Sequence, residues 1–130
     1  MLASGEIGPS ERAELADAVG RLRDELLVHF AREEEGLFPF LLDRVEELRG
    51  RVESLRAGHD SVCGAVSRLH HAVGHEASSV AVPQSWQDAF ARFEGLYGVH
   101  AREEISLLRD VSSRLAPSVR AELKAILEGL

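Results

Sequence analysis

Apolar residues recur every three or four positions along most of this chain, between short stretches rich in Gly, Pro and Ser. This spacing places the apolar side chains on one face of an α-helix. No stretch shows the two-residue alternation that a half-buried strand requires. The pattern therefore predicts an all-α bundle with three long helices and a short C-terminal helix.

The residues that start and stop helices divide this single domain, residues 1–130, into its parts. Ser10 is a suitable N-cap for the first helix, and Pro39, which lacks a backbone donor, should end or kink it. Ser85 to Asp88 resembles a capping box for the third helix. The chain is predicted to consist of a loop over 1–9, a bundle over 10–115 and a C-terminal segment over 116–130. The long helices of the bundle cover 10–38, 45–73 and 85–115, with a loop over 74–83. The C-terminal segment contains a short helix over 118–127.

Polar residues interrupt the apolar face of each long helix. The row of apolar positions along one face of a helix is called its stripe. The stripe of the first helix contains two polar residues, the stripe of the second contains one, and the stripe of the third contains two. They are His29, Glu33, His59, His100 and Glu104. Burying such groups without a partner is costly, so something must compensate them.

A His and a Glu four residues apart lie one helical turn apart on the same face. Both can then reach the same metal ion, and an imidazole with carboxylates suits iron or manganese. Glu103 is an alternative to Glu104, because it could reach the same face as His100. Glu34 and Glu35 are expected to be solvated. One His/Glu pair alone would favour a solvated helix surface, but two pairs together with His59 on apolar stripes favour a metal site.

Composition limits the other functions. The net charge of −7 argues against nucleic-acid and anionic-membrane partners. Aromatic residues make up only 5%, so the core must consist mainly of Leu, Val and Ala. The single cysteine, Cys63, cannot form an internal disulfide, and neither a signal peptide nor a membrane span is evident. We therefore expect a cytoplasmic protein.

Three motifs resemble those of the hemerythrin-like, or HHE cation-binding, domains. The segment His29 to Pro39 is similar to the family's second-helix signature HFxxEExxLFP, Gly58-His59-Asp60 to its third-helix motif, and His100 to Glu104 to its fourth-helix HxxxE. The resemblance covers about residues 10–112. It implies an up-down four-helix bundle with a non-haem di-iron centre, and ligand roles for His29, Glu33, His59, His100 and Glu104.

Two features depart from the family pattern. The family's first helix normally supplies another histidine, but the residues before His29 contain none, so that helix is expected to be missing. Cys63 stands where hemerythrins proper carry a second third-helix histidine; a small buried thiol is the preferred interpretation, with a sulfur ligand as the alternative. Three explanations stay open for the missing helix: the real protein is longer, a partner chain or residues 118–130 cover the groove, or the site is degraded. If the chain is complete, we expect a homodimer formed through that groove.

The first functional hypothesis is a non-haem iron module that reversibly binds or senses O2 or a related small oxidant, such as nitric oxide or peroxide. Two ferrous ions bridged by Glu33 and Glu104 would supply the electrons, and an apolar wall of Leu37, Leu96 and Val62 would slow water entry. Weak oxidase or peroxidase turnover could accompany this, but a dedicated enzyme is not predicted. The alternative is a metal-free helical interaction domain, which metal content would distinguish.

Overall fold

A computed structural model describes residues 8–75 and 82–130, and these residues contain no strand. The prediction of an all-α bundle is confirmed for the described residues. Most of the two predicted loops, residues 1–9 and 74–83, lies outside the described residues. The elements are α1 (Pro9–Arg32), a π-helical turn (Glu33–Leu37), α2 (Phe38–Arg44), a 3-10 turn (Glu46–Leu48), α3 (Arg49–His75), α4 (Gln84–Ser112) and α5 (Pro117–Glu128).

Helix α1 begins two residues earlier than the sequence predicted. Gly8 is its N-cap, and Pro9 occupies the first turn, where a missing backbone donor has no cost. The side chain of Glu11 accepts a hydrogen bond from the backbone N–H of Gly8 at 3.3 Å. Ser10 is therefore not the cap, because Gly8 with Glu11 already satisfies this end.

The predicted interruption near Pro39 takes the form of a π-helical turn immediately before it. The N–H of Phe38 donates to the carbonyl of Glu33, five residues earlier, where an α-helix would use a four-residue step. Pro39 has no N–H to give to Glu35, and its ring would crowd that carbonyl in a regular helix. Widening the turn accommodates the proline without ending the helix, and the chain stays helical to Arg44.

Helix α3 is the central element, and both α1 and α4 pack against it more than against each other. Every member of the predicted stripe of the second helix is buried, but α3 begins at Arg49 and not at residue 45, so that Val45 and Leu48 lie before it. The members of this stripe are Val45, Leu48, Val52, Leu55, His59, Val62, Val66, Leu69 and Val73. The stripe was easy to predict because α3 has neighbours on both sides.

The stripe of α1 is partly wrong. The predicted stripe was Leu15, Val19, Leu22, Leu26, His29, Glu33 and Leu37. Four of these are buried, Leu15 and Leu22 are partly buried, and the side chain of His29 is 38% exposed. Phe30, one position further, is the buried residue at this level. Because α1 has a neighbour mainly on one side, its buried face is narrow, and His29 lies at the edge of that face.

Helix α4 begins at Gln84 with Pro83 as its N-cap, so the predicted capping box at Ser85 is wrong. Trp86 is fully buried and anchors the start of this helix in the core. Helix α5 follows at Pro117 and buries Leu123 at one end of the bundle. The C-terminal segment therefore packs at the end of the bundle near the π-helical turn, and its last residue reaches α1, where the carbonyl of Leu130 accepts a hydrogen bond from Arg32 at 3.4 Å.

The core consists of two apolar clusters. One surrounds Trp86 and Val66, and the other surrounds Phe38 and Leu107. Among the described residues, the buried polar or charged ones are Glu33, His59 and His100. None of the helices that the structure describes is long and apolar enough to cross a membrane.

Candidate metal centre

Three polar side chains from three helical segments meet in the core. Glu33 begins the π-helical turn, His59 lies in the middle of α3, and His100 lies in the middle of α4. Their exposed fractions are 0%, 2% and 4%. A carboxylate oxygen and one nitrogen from each ring lie within 4.8 Å of one another. These are ligand types and a spacing that one metal ion could use.

A second group lies next to the first and shares Glu33 with it. His29, Glu33 and Glu104 also bring ligand atoms within 4.8 Å of one another. The Nε2 of His29 is 3.6 Å from Oε2 of Glu33, and the Nε2 of His100 is 4.0 Å from Oε2 of Glu104. The five residues singled out in the sequence therefore form two adjoining groups, with the carboxylate of Glu33 between them.

Glu104 is better placed than its alternative. Glu104 is partly buried and close to His100, whereas Glu103 is exposed. Among the described residues, Glu103 belongs to neither group of candidate ligands. The four-residue step from His100 thus reaches the site, and the three-residue step does not. Whether these residues bind a metal stays a prediction.

Glu34 was expected to be solvated, and this was wrong. Its Oε2 lies 2.8 Å from Nδ1 of His59, and its Oε1 lies 3.7 Å from Nε of Arg56. Glu35 is exposed, as expected. A carboxylate on the second ring nitrogen of a histidine fixes the ring's orientation and its tautomer. The sequence did offer a signal for this role. Glu33 and Glu34 are consecutive residues of one helix and point in different directions, so each can contact a different side of His59.

Two phenylalanines hold the ring of His59. Phe30 stacks on it with ring centroids 3.9 Å apart and planes 9° apart, and Phe38 stacks at 5.5 Å. Phe30 also meets His100 edge-on, at 5.3 Å. The sequence-based apolar wall included Leu37 and Val62, which are buried, but it missed these two aromatic rings. They confine both imidazoles and exclude water from their faces.

Gly58 makes room for the ring of His100. A Cβ atom at this position would lie 2.9 Å from Nδ1 of His100, closer than non-bonded atoms pack. The Gly58-His59 pair thus has two functions: the histidine enters the site, and the glycine lets the histidine of the next helix approach α3. Only a residue without a side chain permits this approach.

The two buried histidines differ in their protonation. Burial alone lowers the pKa of His59, but contacts with Glu33 and Glu34 outweigh burial and raise it above the ordinary value. Burial also lowers the pKa of His100, and the neighbouring His59 lowers it further, so the pKa of His100 is below the ordinary value. His100 therefore stays neutral, and able to act as a ligand, at a lower pH than a free histidine.

Several buried polar atoms at the site have no hydrogen-bond partner among the described residues. They are both carboxylate oxygens of Glu33, Nε2 of His59 and both ring nitrogens of His100. The Nε2 of His59 is only 2.9 Å from Oε1 of Glu33, but the two are not aligned for a hydrogen bond. Each unsatisfied buried group costs about 1–3 kcal/mol, which a bound cation would offset. The donor set therefore fits a metal ion.

Cys63 lies beside the site and not within it. The described residues form two groups of candidate ligands, and Cys63 belongs to neither. Its side chain lines a cleft of about 320 Å³ between α1 and α3, which also reaches Glu34 and His59. Partial burial, with Asp60 and Glu34 nearby, raises the pKa of the thiol. The preferred interpretation was a small buried thiol; Cys63 is only partly buried, and its absence from both groups of candidate ligands gives no support to the alternative of a sulfur ligand.

A helical bundle in which histidines and glutamates from several helical segments converge on shared ligand positions has the arrangement of the metal-binding helical bundles. The sequence agrees with this class. The family model "Hemerythrin HHE cation binding domain" matches residues 2–111, and the chain belongs to this family. Searches among curated proteins and among solved structures give no significant match. The predicted family is thus confirmed, and with it the general function of cation binding.

Proposed function

We propose that the protein is a non-haem iron module that binds or senses O2 or a related small oxidant, such as nitric oxide or peroxide. The observation that supports this most is the pair of adjoining ligand groups that share Glu33. His59 and His100 would hold one ion with Glu33, and His29 and Glu104 would hold a second with it. Iron bound there would supply reversible electron transfer to a small oxidant.

The side chains around the site suit reversible chemistry. Phe30 and Phe38 cover the face of His59 and limit contact with water. Glu34 orients His59 from behind, with Arg56 next to it. His29 is the most exposed of the five residues, at 38% of its side chain. A small molecule would therefore arrive from the side of His29, where the ligands are least enclosed.

Metal content and absorption test this proposal directly. The full chain, produced with iron supplied, should contain close to two iron ions per chain and should gain absorption near the ultraviolet edge on exposure to air. Glu33→Gln should lose most of the iron, because it removes the charge that both groups share. His71→Ala is the matched control, since it removes an exposed histidine of α3 and should leave the iron content unchanged.

The metal-free interaction domain makes the opposite prediction. If no metal has a structural role, removing an unpaired polar group should leave the free energy of unfolding unchanged or increase it. A protein that contains no metal, and whose His100→Leu variant is at least as stable as the parent, would replace the iron proposal with this alternative, because both ring nitrogens of His100 are buried without a partner among the described residues. One ion per chain would keep the proposal for iron and contradict the dinuclear centre.

A further inference from the structure

A surface groove between α3 and α4 is lined by three arginines and three serines. Two adjoining cavities of about 310 and 680 Å³ lie between α3 and α4, and they share Arg51, Arg102 and Ser106. Ser54 lines the first cavity, and Arg109 and Ser113 line the second. None of these residues belongs to the metal centre. We name this surface the arginine groove.

Two of the three arginines in the groove have no acidic partner among the described residues. The guanidinium groups of Arg102 and Arg109 make no ion pair and no hydrogen bond with the residues that the structure describes. Arg51 is fixed in place: its Nη1 lies 2.7 Å from Oδ2 of Asp110, and its Nη2 donates to Oγ of Ser106 at 3.3 Å. Two guanidinium groups therefore stay available beside a third that is held in position.

The acidic residues at the groove do not cancel this charge. Asp110 is shared between Arg51 and Arg114, whose Nη2 lies 3.1 Å from the same oxygen. Glu103 lines the first cavity and contributes one negative charge. Arg114 also lies 4.0 Å from Glu47, so the three arginines of the groove together with Arg114 carry four positive charges against three negative ones. The net charge of the chain is −7, which repels anions from most of its surface. The groove differs from the rest of the surface because positive charges exceed negative ones there.

We infer that the arginine groove binds a small phosphorylated compound with two or more phosphoryl groups. Arginine donates paired hydrogen bonds that match phosphate oxygens, and serine hydroxyls add further donors. Ser106 accepts from Arg51, which leaves its own hydroxyl proton free to donate to a ligand. Arg102 lines both adjoining cavities and Arg109 lines the second, so a ligand with two linked phosphoryl groups could contact both arginines while it spans the cavities.

Calorimetric titration of the full chain with inorganic pyrophosphate tests this inference. No metal is added, because pyrophosphate chelates iron. Arg102→Gln and Arg109→Gln should each weaken binding by roughly tenfold or more, as expected for the loss of charged hydrogen bonds. Arg92→Gln is the matched control: it makes the same change in net charge on the exposed surface of α4, outside the groove, and should change the affinity less than twofold.

Comparison titrations separate this ligand class from others. Inorganic phosphate should bind more weakly than pyrophosphate, because it can occupy only one of the two positions. The inference is overturned if pyrophosphate does not bind at millimolar concentration, if Arg92→Gln weakens binding as much as the groove variants do, or if a glutamate-rich peptide binds more tightly than pyrophosphate. These outcomes are independent of the metal centre, so the iron proposal stands or fails separately.

Discussion

At the scale of single residues, the candidate site depends on neighbours that are not themselves candidate ligands. Glu34 contacts the second nitrogen of His59, and Phe30 stacks on the same ring. Gly58 leaves the space into which His100 fits. Such contacts hold the imidazoles in place before a metal arrives, which lowers the cost of binding it.

Glu34→Gln should weaken metal binding by about 10–100-fold, the usual effect of losing a carboxylate that orients a histidine ligand. The fold should be unaffected, because Glu34 is 35% exposed and the substitution keeps its size. Glu35→Gln is the matched control, since it changes the same charge at the exposed neighbouring position. Competition with a chromophoric chelator measures both affinities. Equal affinities in the two variants would show that Glu34 has no orienting role.

Gly58→Ala should reduce both stability and metal content. The added methyl group would lie 2.9 Å from Nδ1 of His100, and such overpacking typically costs about 1–3 kcal/mol. Gly64→Ala, on the same helix, adds a methyl group in open space and should stabilise the protein by about 0.5–1 kcal/mol. Thermal unfolding and metal analysis of the two variants provide the measurement. Full metal content in the Gly58→Ala protein would contradict this prediction, because it would show that His100 can shift away from the added methyl group without loss of metal binding.

At the scale of elements, the π-helical turn and α5 decide how the site is closed at one end. The turn begins at Glu33 and accommodates Pro39 without ending the helix, so α2 continues from α1. Helix α5 packs on this region through Leu123, in a cluster with Leu37 and Phe38. The C-terminal helix therefore supports the segment that carries Glu33, although it contributes no ligand candidate.

Leu123→Ala should lower the free energy of unfolding by ~2–5 kcal/mol, the usual range for removing a buried leucine side chain. Leu123 is 3% exposed, whereas the adjacent Lys124 is exposed and gives the control Lys124→Ala. Because α5 supplies no ligand candidate, the metal-loaded Leu123→Ala protein should keep its metal stoichiometry below its melting temperature. Denaturant unfolding measures the stability of each variant. An unchanged midpoint for Leu123→Ala would mean that α5 does not support the bundle.

At the scale of the whole molecule, metal binding and protonation compete for the same buried histidines. The pKa of His59 is raised, so the metal-free protein keeps this proton to a higher pH than a free histidine would. The pKa of His100 is lowered, so His100 is already neutral at the pH values where His59 still holds its proton. A metal binds only neutral imidazole, and its entry must therefore displace the proton of His59.

Binding of Mn2+ should consequently release protons at pH values below the raised pKa of His59, including values just above about 6.5, where a free histidine would already be neutral. The apparent affinity should fall as the pH is lowered through this range, and it should be constant well above it. Calorimetry in two buffers with different ionisation enthalpies measures the number of protons released. Identical binding enthalpies in both buffers at pH 7 would contradict this prediction.

The homodimer expected from the sequence stays a prediction. Val28 and Tyr97 are 51% and 42% exposed, and both are apolar positions of the kind that association would bury. Sedimentation velocity over a range of concentrations measures the association. A monomer at all concentrations would exclude the dimer.

The sequence by itself determined the helices, the buried stripe of α3 and the residues from which the site is drawn. Periodicity specifies the direction of each side chain about its own helix axis, and this was enough to select His59, His100 and Glu33. It could not show which neighbour each face would meet. Only the packing of α1 and α4 on α3 decided that Phe30 points inward where His29 was expected, that Glu34 reaches His59, and that Gly58 lies against His100. These contacts join residues far apart in the chain, and no local pattern encodes the distance between them.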